Sequence, residues 1–278
     1  MAARRTLRNG TVALLAAGVT LAASGCSGTG AAAEGGGGAG GAADAREVVR
    51  RAPDVLAGSG TSHAFTALRM ASGGTRITIE GEGRFDYGER TGELRLTLPE
   101  GERVTEVFVP GLLYIKNRGA GVPADKWVRI DTGAVRDGNL VTGGATDPIT
   151  AAELLRGVTY AADLGWAEVD GERLRHYRGV TDIATAAERA TGGAREQLAT
   201  AVGGFTRTQV PFDVYLDARG LLRKVRHQFS FAGGGGGGGG TGPGGGVEVA
   251  STVTLRDFGA PVDVVLPASD DVFAGAVV

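Results

Sequence analysis

Residues 75–87, TRITIEGEGRFDY, repeat with a period of two. Ile77, Ile79, Gly81, Gly83, Phe85 and Tyr87 fall on one side, and Arg76, Thr78, Glu80, Glu82, Arg84 and Asp86 on the other. Only an extended strand, whose side chains point alternately to opposite faces, separates these sets, so the segment predicts a β-strand with one dry and one wet face. The same rhythm returns in Leu94, Leu96 and Leu98 after the turn Tyr87-Gly88-Glu89-Arg90, in Val210, Phe212, Val214 and Leu216, in Val225, Phe229 and Phe231, and in Val247, Val249, Val253 and Leu255. With 103–109, 111–117, 126–131, 163–169 and 173–181, about nine to eleven strands are expected. Short turns such as Val169-Asp170-Gly171-Glu172 make antiparallel hairpins the economical connection.

One-sided strands need a cover, and the chain offers little. A first helix is predicted from Asp44 to about Ala57, with Val48, Ala52, Val55 and Leu56 at helical spacing and Pro53 as a kink or break. A second begins at Asp147-Pro148 and stops at Gly157. A third covers 182–202, with Thr185-Ala186-Ala187-Glu188 as a capping box and Gly192-Gly193 dividing it. These helices are alanine-rich. The expected fold is therefore α+β, a highly curved antiparallel half-barrel sheet covered on its concave face by a few short helices. Ile77, Ile79, Val210, Phe212, Val214, Phe229 and Val253 are the candidate lining of an apolar cavity beneath them.

The two ends of the sequence organisation differ from this pattern. Arg4, Arg5 and Arg8 precede an uncharged apolar run from Thr11 to Ala23, too short to span a bilayer and followed by small residues, which is the pattern of a secretory signal. Ala23-Ser24-Gly25 then precedes Cys26, the only cysteine. This arrangement resembles the lipobox of bacterial lipoproteins, which implies cleavage after residue 25, lipidation of Cys26 and work on the extracytoplasmic face of the cell membrane. Residues 26–43 read as the lipidated cysteine and a flexible Gly/Ala tether, and 44–278 as one domain. Within it 233–246, a glycine run broken only by Thr241 and Pro243, reads as a disordered loop between two strands. The 29 basic and 31 acidic residues give a formal charge of −2, and loss of the leader removes three arginines. Nucleic acid is an unsuitable partner for such a surface.

Several ordered pieces carry a family likeness. They are Gly111-Leu112-Leu113-Tyr114-Ile115-Lys116 followed by Trp127-Val128-Arg129-Ile130-Asp131, the Asp147-Pro148 helix start ending in Leu154-Leu155, Tyr177-Arg178-Gly179-Val180-Thr181-Asp182-Ile183, and Pro211-Phe212-Asp213-Val214-Tyr215-Leu216-Asp217 with Gly220-Leu221-Leu222-Arg223-Lys224-Val225. Over roughly 60–258 the chain resembles the actinobacterial lipoproteins of the LppX/LprG type, related in fold to LolA and LolB. The resemblance implies a half-barrel closed by helices, with room for an acyl chain or other lipid between them.

Groups for catalysis are sparse. His63, His176 and His227 lack zinc spacing, Ser59 fails the Gly-x-Ser-x-Gly elbow, and Asp270-Asp271 read as solvated acids near a terminus. Neither a cofactor nor a metal is expected. Arg219, Arg223, Lys224 and Arg226 form a basic cluster that suits anionic headgroups or a solvated strand face, and Trp127 and Trp166 suit the lip of a lipid cavity or a core. The expected function is non-enzymatic: binding or transfer of a lipid or other hydrophobic ligand. The alternative is an interaction or sensory module with a self-filled core that touches an envelope membrane protein.

Overall fold

The structure is a computed structural model, and it describes residues 39–72, 74–116, 121–142, 144–231 and 247–273. The signal segment, Cys26, most of the tether and the glycine tract 233–246 lie outside the described residues. The chain divides into two units, 1–36 and 37–278, and all the described residues belong to the second.

The order of elements is α1 (Ala39–Ala57), β1 (Thr61–Ser72), β2 (Thr75–Asp86), β3 (Thr91–Thr97), β4 (Arg103–Val109), β5 (Leu112–Lys116), β6 (Trp127–Asp131), α2 (Pro148–Glu153), β7 (Val158–Val169), β8 (Glu172–Asp182), α3 (Ile183–Arg189), α4 (Ala194–Ala201), β9 (Gln209–Leu216), β10 (Leu222–Phe231) and β11 (Val247–Arg256). A 3-10 turn, Leu154–Gly157, joins α2 to β7. All eleven strands form one open sheet in the order β6-β5-β4-β3-β2-β1-β11-β10-β9-β8-β7, and every neighbouring pair is antiparallel. The α+β sheet with helices on one face matches the expectation.

Two devices bend it. At Gly83 and Gly179 a side chain would collide with the backbone of the adjacent strand, at Glu93 and Tyr160 respectively, so these strands approach more closely than any other residue allows. Irregular pairing between Asp163 and Trp166 in β7, and between Leu222 and Lys224 in β10, adds bulges that bend a strand and increase its twist.

Four details differ from the sequence reading. β1 is a strand that the pattern does not predict, because its covered face carries Ser62, Ala64 and Thr66 while its solvent face carries Phe65 and Ala67, which scrambles the alternation. β7 begins at Val158 rather than 163. α1 begins at Ala39 and runs through Pro53 as one helix, burying Ala45, Val49, Ala52 and Leu56. The cap of α3 is Asp182, whose carboxylate accepts from the Thr185 backbone N–H and hydroxyl, rather than Thr185 itself. Asp147 caps α2 as expected, accepting from the Thr150 N–H with Pro148 at the first helical position.

Candidate functional site

Strand register sets the covered face in rows. One row runs Tyr177–Val214–Val225–Val253–Thr66–Gly81–Leu96 across seven strands, and the next runs Gly179–Phe212–His227–Ser251–Leu68–Ile79. Ile79, Val210, Phe212, Val214, Phe229 and Val253 are all buried in one cluster with Leu56, Leu154, Leu155, Ile183 and Leu198 from the helical layer. Ile77 stands apart at 37% exposure: it pairs with Met70 near the tip of the β1–β2 hairpin. Six of the seven candidate lining residues are thus brought together as packed core. Between the β4–β5 turn and the first turns of α2 and α4, beside Asp147, Thr150 and Gln197, lies a small space of about 30 Å³.

Polar groups pin this part of the layer. The Glu153 carboxylate, 3% exposed, accepts from Arg156 Nε at 2.7 Å, from the Thr191 N–H at 3.2 Å and hydroxyl at 3.1 Å, and from Arg90 at 3.4 Å. Arg156 also donates to Asp54 of α1 at 2.7 Å. One carboxylate therefore ties α2, the α3–α4 junction and the β2–β3 turn together, and reaches α1 through Arg156. Nothing in the sequence marks this hub, because Arg90 and Thr191 are distant from Glu153 along the chain. Burial, opposed by the hydrogen bonds from Thr150, raises the Asp147 carboxyl above its ordinary range.

The layer is less complete at its other end. Between α1 and the ends of β7, β8 and β9 lies a groove of about 400 Å³. Val48 and Val55 line it from the helix, Trp166, Tyr177 and Leu216 from the sheet, and Arg51, Arg175 and Arg219 from the rim. Arg175 pairs with Trp166 across β7 and β8 and with Leu216 across β8 and β9, so the groove continues the covered face of the sheet. Tyr177 and Leu216 belong to both groove and core. Trp166 is held between the guanidinium groups of Arg173 and Arg175, 5.1 and 5.8 Å from its ring. Each rim arginine has an acid beside it: Arg51 with Glu47, Arg175 with Asp163 and Arg219 with Asp217. The groove thus sets apolar side chains beside charge-paired arginines, a mixed lining with the volume of a small-molecule site.

The remaining sequence candidates fall elsewhere. His227 is 1% exposed between Phe212 and Ser251; burial pushes its pKa down to about 3, so the ring is neutral, and its Nε2 has no hydrogen-bond partner among the described residues. His176 joins Arg178 on Asp213 at 2.7 and 2.8 Å and stacks on Tyr215 on the solvent face. Burial raises the Asp213 pKa, and the bonds from His176 and Arg178 outweigh it, leaving the carboxyl lowered. The Ser59 hydroxyl donates to the Leu56 carbonyl at the end of α1. Lys126 reaches Asp270 and Asp271. Trp127 lies on β6 under Lys116, away from the groove. The basic cluster divides: Arg219 joins the groove rim, Arg223 donates to Glu172 at 2.6 Å, and Lys224 and Arg226 make no ion pair among the described residues. No group of three or more metal-ligating side chains occurs among those residues.

No family model matches the chain, and no curated protein matches it in sequence. Solved structures do. The lipoprotein LppX of Mycobacterium tuberculosis is 16% identical with a TM-score of 0.45, covering 80% of this chain and 98% of LppX. LprF of Mycobacterium bovis is 12% identical with a TM-score of 0.40, covering 82% of this chain and 98% of LprF. A LolA superfamily protein of Nitrosomonas europaea is 13% identical with a TM-score of 0.34, covering 77% and 94%. The structural matches of this chain thus include LppX and LprF, of the LppX/LprG type, and a LolA superfamily protein.

Proposed function

We propose that this chain is an envelope lipoprotein, tethered through Cys26 to the extracytoplasmic face of the cell membrane, that binds a lipid or other hydrophobic ligand without chemical reaction. The observation that carries this reading is the groove of about 400 Å³ between α1 and β7–β9, which sets Val48, Val55 and Trp166 beside charge-paired arginines and borders the core through Tyr177 and Leu216. Its volume is in the range of small-molecule sites. An acyl chain laid there exchanges water for Val48, Val55 and Trp166, a gain of about 0.8 kcal/mol for each methylene buried. The likeness to LppX/LprG-type sequences supports the same reading, as does the lipobox before Cys26.

A second reading, an interaction module that touches an envelope membrane protein, is favoured by the close packing of Val210, Phe212, Val214, Phe229 and Val253. Mass spectrometry of organic extracts from the purified protein separates the two. The binding reading expects a co-purifying lipid that disappears when Val48→Trp fills the groove. An empty wild type that also takes up no fatty acid would leave the interaction module in front. For the tether, Cys26→Ser is expected to release the protein from the membrane fraction and block processing, read by fractionation and N-terminal mass; unchanged processing and attachment would refute lipidation.

A further inference from the structure

On the face of the sheet opposite the helices, we infer a docking surface for anionic phospholipid headgroups, formed by Arg69, Arg76 and Arg226. These side chains border an open depression of about 310 Å³. Register explains it. Arg69 stands between Ala250 on β11 and Thr78 on β2, Arg76 faces Ala71, and Arg226 faces Thr252. The residues between the arginines are small, so the floor is low and the guanidinium groups rise around it. None of the three makes a salt bridge or side-chain hydrogen bond among the described residues, unlike the arginines of the groove, each with its acid. One acid, Glu248, also lines the depression and accepts from the Ser230 hydroxyl at 2.8 Å, leaving three guanidinium groups against one carboxylate there; Asp213, opposite Arg226, is held by His176 and Arg178.

Three arginines around one depression make a locally positive patch on a chain whose net charge is −2, and such a patch attracts anions. Guanidinium donors match phosphate oxygens in geometry and charge. The openness of the depression decides between a free phosphate and a membrane: a small ion would remain largely hydrated and screened there, whereas a plane of headgroups presents many phosphates at once. The surface is on the opposite face from the α1 groove and stands or falls independently of it.

Vesicle flotation of the mature-length chain, residues 26–278 with Cys26→Ser, which removes both the acyl anchor and the apolar leader from the comparison, tests the inference. Binding is expected to vesicles of phosphatidylcholine with phosphatidylglycerol, to fall with added salt, and to weaken on the order of a hundredfold in Arg69→Gln/Arg76→Gln/Arg226→Gln. Arg84→Gln/Arg103→Gln/Arg129→Gln changes net charge equally elsewhere on the same face of the sheet and is expected to retain binding. Equal loss in both triple variants, equal binding to pure phosphatidylcholine, or unchanged flotation of the first variant would overturn the docking surface. Competition by millimolar inorganic phosphate at constant ionic strength would also overturn it, in favour of a soluble-phosphate site. If the triple variant melts early, Arg76→Glu at the hairpin tip alone carries the test, with a weakening of roughly twentyfold expected and no change refuting it.

Discussion

The two ends of the helical layer are built differently. Beneath α2, α3 and α4, buried apolar side chains meet the sheet, and Glu153 fastens three elements at once. Beside α1, Val48 and Val55 look into about 400 Å³ of open groove, and the helix reaches the hub through the single contact of Asp54 with Arg156. α1 is itself seated by Ala45, Val49, Ala52 and Leu56, all buried, so both ends are held against the sheet. The α2–α4 end is the firmer because polar groups pin it as well, whereas α1 leaves space along one flank.

The sharpest way to break this comparison is at the hub. Glu153→Ala strands Arg156, Arg90 and the Thr191 N–H near a buried site, and a loss of about 3 kcal/mol is expected by chemical denaturation. A loss below about 1 kcal/mol would mean that the α2–α4 end is not the firm one. Acid is the next largest probe. His227 is neutral in the fold with its pKa pushed down to about 3, whereas in the unfolded chain it takes a proton near the ordinary value of 6.5. Its contribution is present above pH 6.5 and is lost as pH falls from there toward 3, by about 2 kcal/mol at pH 5. Denaturation at pH 7 and pH 5 should show that loss in the wild type, and His227→Leu should lack this histidine's share of it. The smallest effect sharpens the contrast most: Val214→Trp in the packed row is expected to cost about 1–3 kcal/mol, while Val48→Trp in the groove costs less than about 0.5 kcal/mol. Equal costs in thermal or denaturant melts would mean that the groove is as closely filled as the core.

Much of this architecture is readable because strand faces are written with period two. Ile79, Phe85, Val214 and Phe229 announce a covered face before any contact is known, and Gly192-Gly193 announces the break between α3 and α4. β1 is illegible because its covered face uses Ser62, whose hydroxyl pairs with that of Tyr87 at 2.6 Å, along with Ala64 and Thr66. A polar residue satisfied by a partner on another strand reads as solvent-facing when only its own strand is seen. Trp166 and Arg219 are recognisable as candidates for a cavity lip and a headgroup contact, yet the groove that holds both needs the α1 packing angle, which no local pattern encodes. The basic cluster misleads for a related reason. Arg219, Arg223, Lys224 and Arg226 are close in sequence, but the turn and the strand pleat part Arg219 and Arg223 from Lys224 and Arg226, which share the solvent face of β10, and Arg226 also borders a depression with Arg69 and Arg76.

An unclosed sheet has two rims, and each is a row of backbone donors and acceptors that another chain can extend. On the β6 side the rim is occupied by the protein's own tail, where Val272 bridges Trp127 and the Phe273 N–H donates to the Trp127 carbonyl at 2.8 Å. On the β7 side the irregular pairing between Asp163 and Trp166 breaks the regular spacing that an added strand would need. The same bulge that bends the sheet over the groove therefore also works against end-to-end growth into fibres, and a half-barrel left open on one side is kept from polymerising there by the irregularity of its last strand.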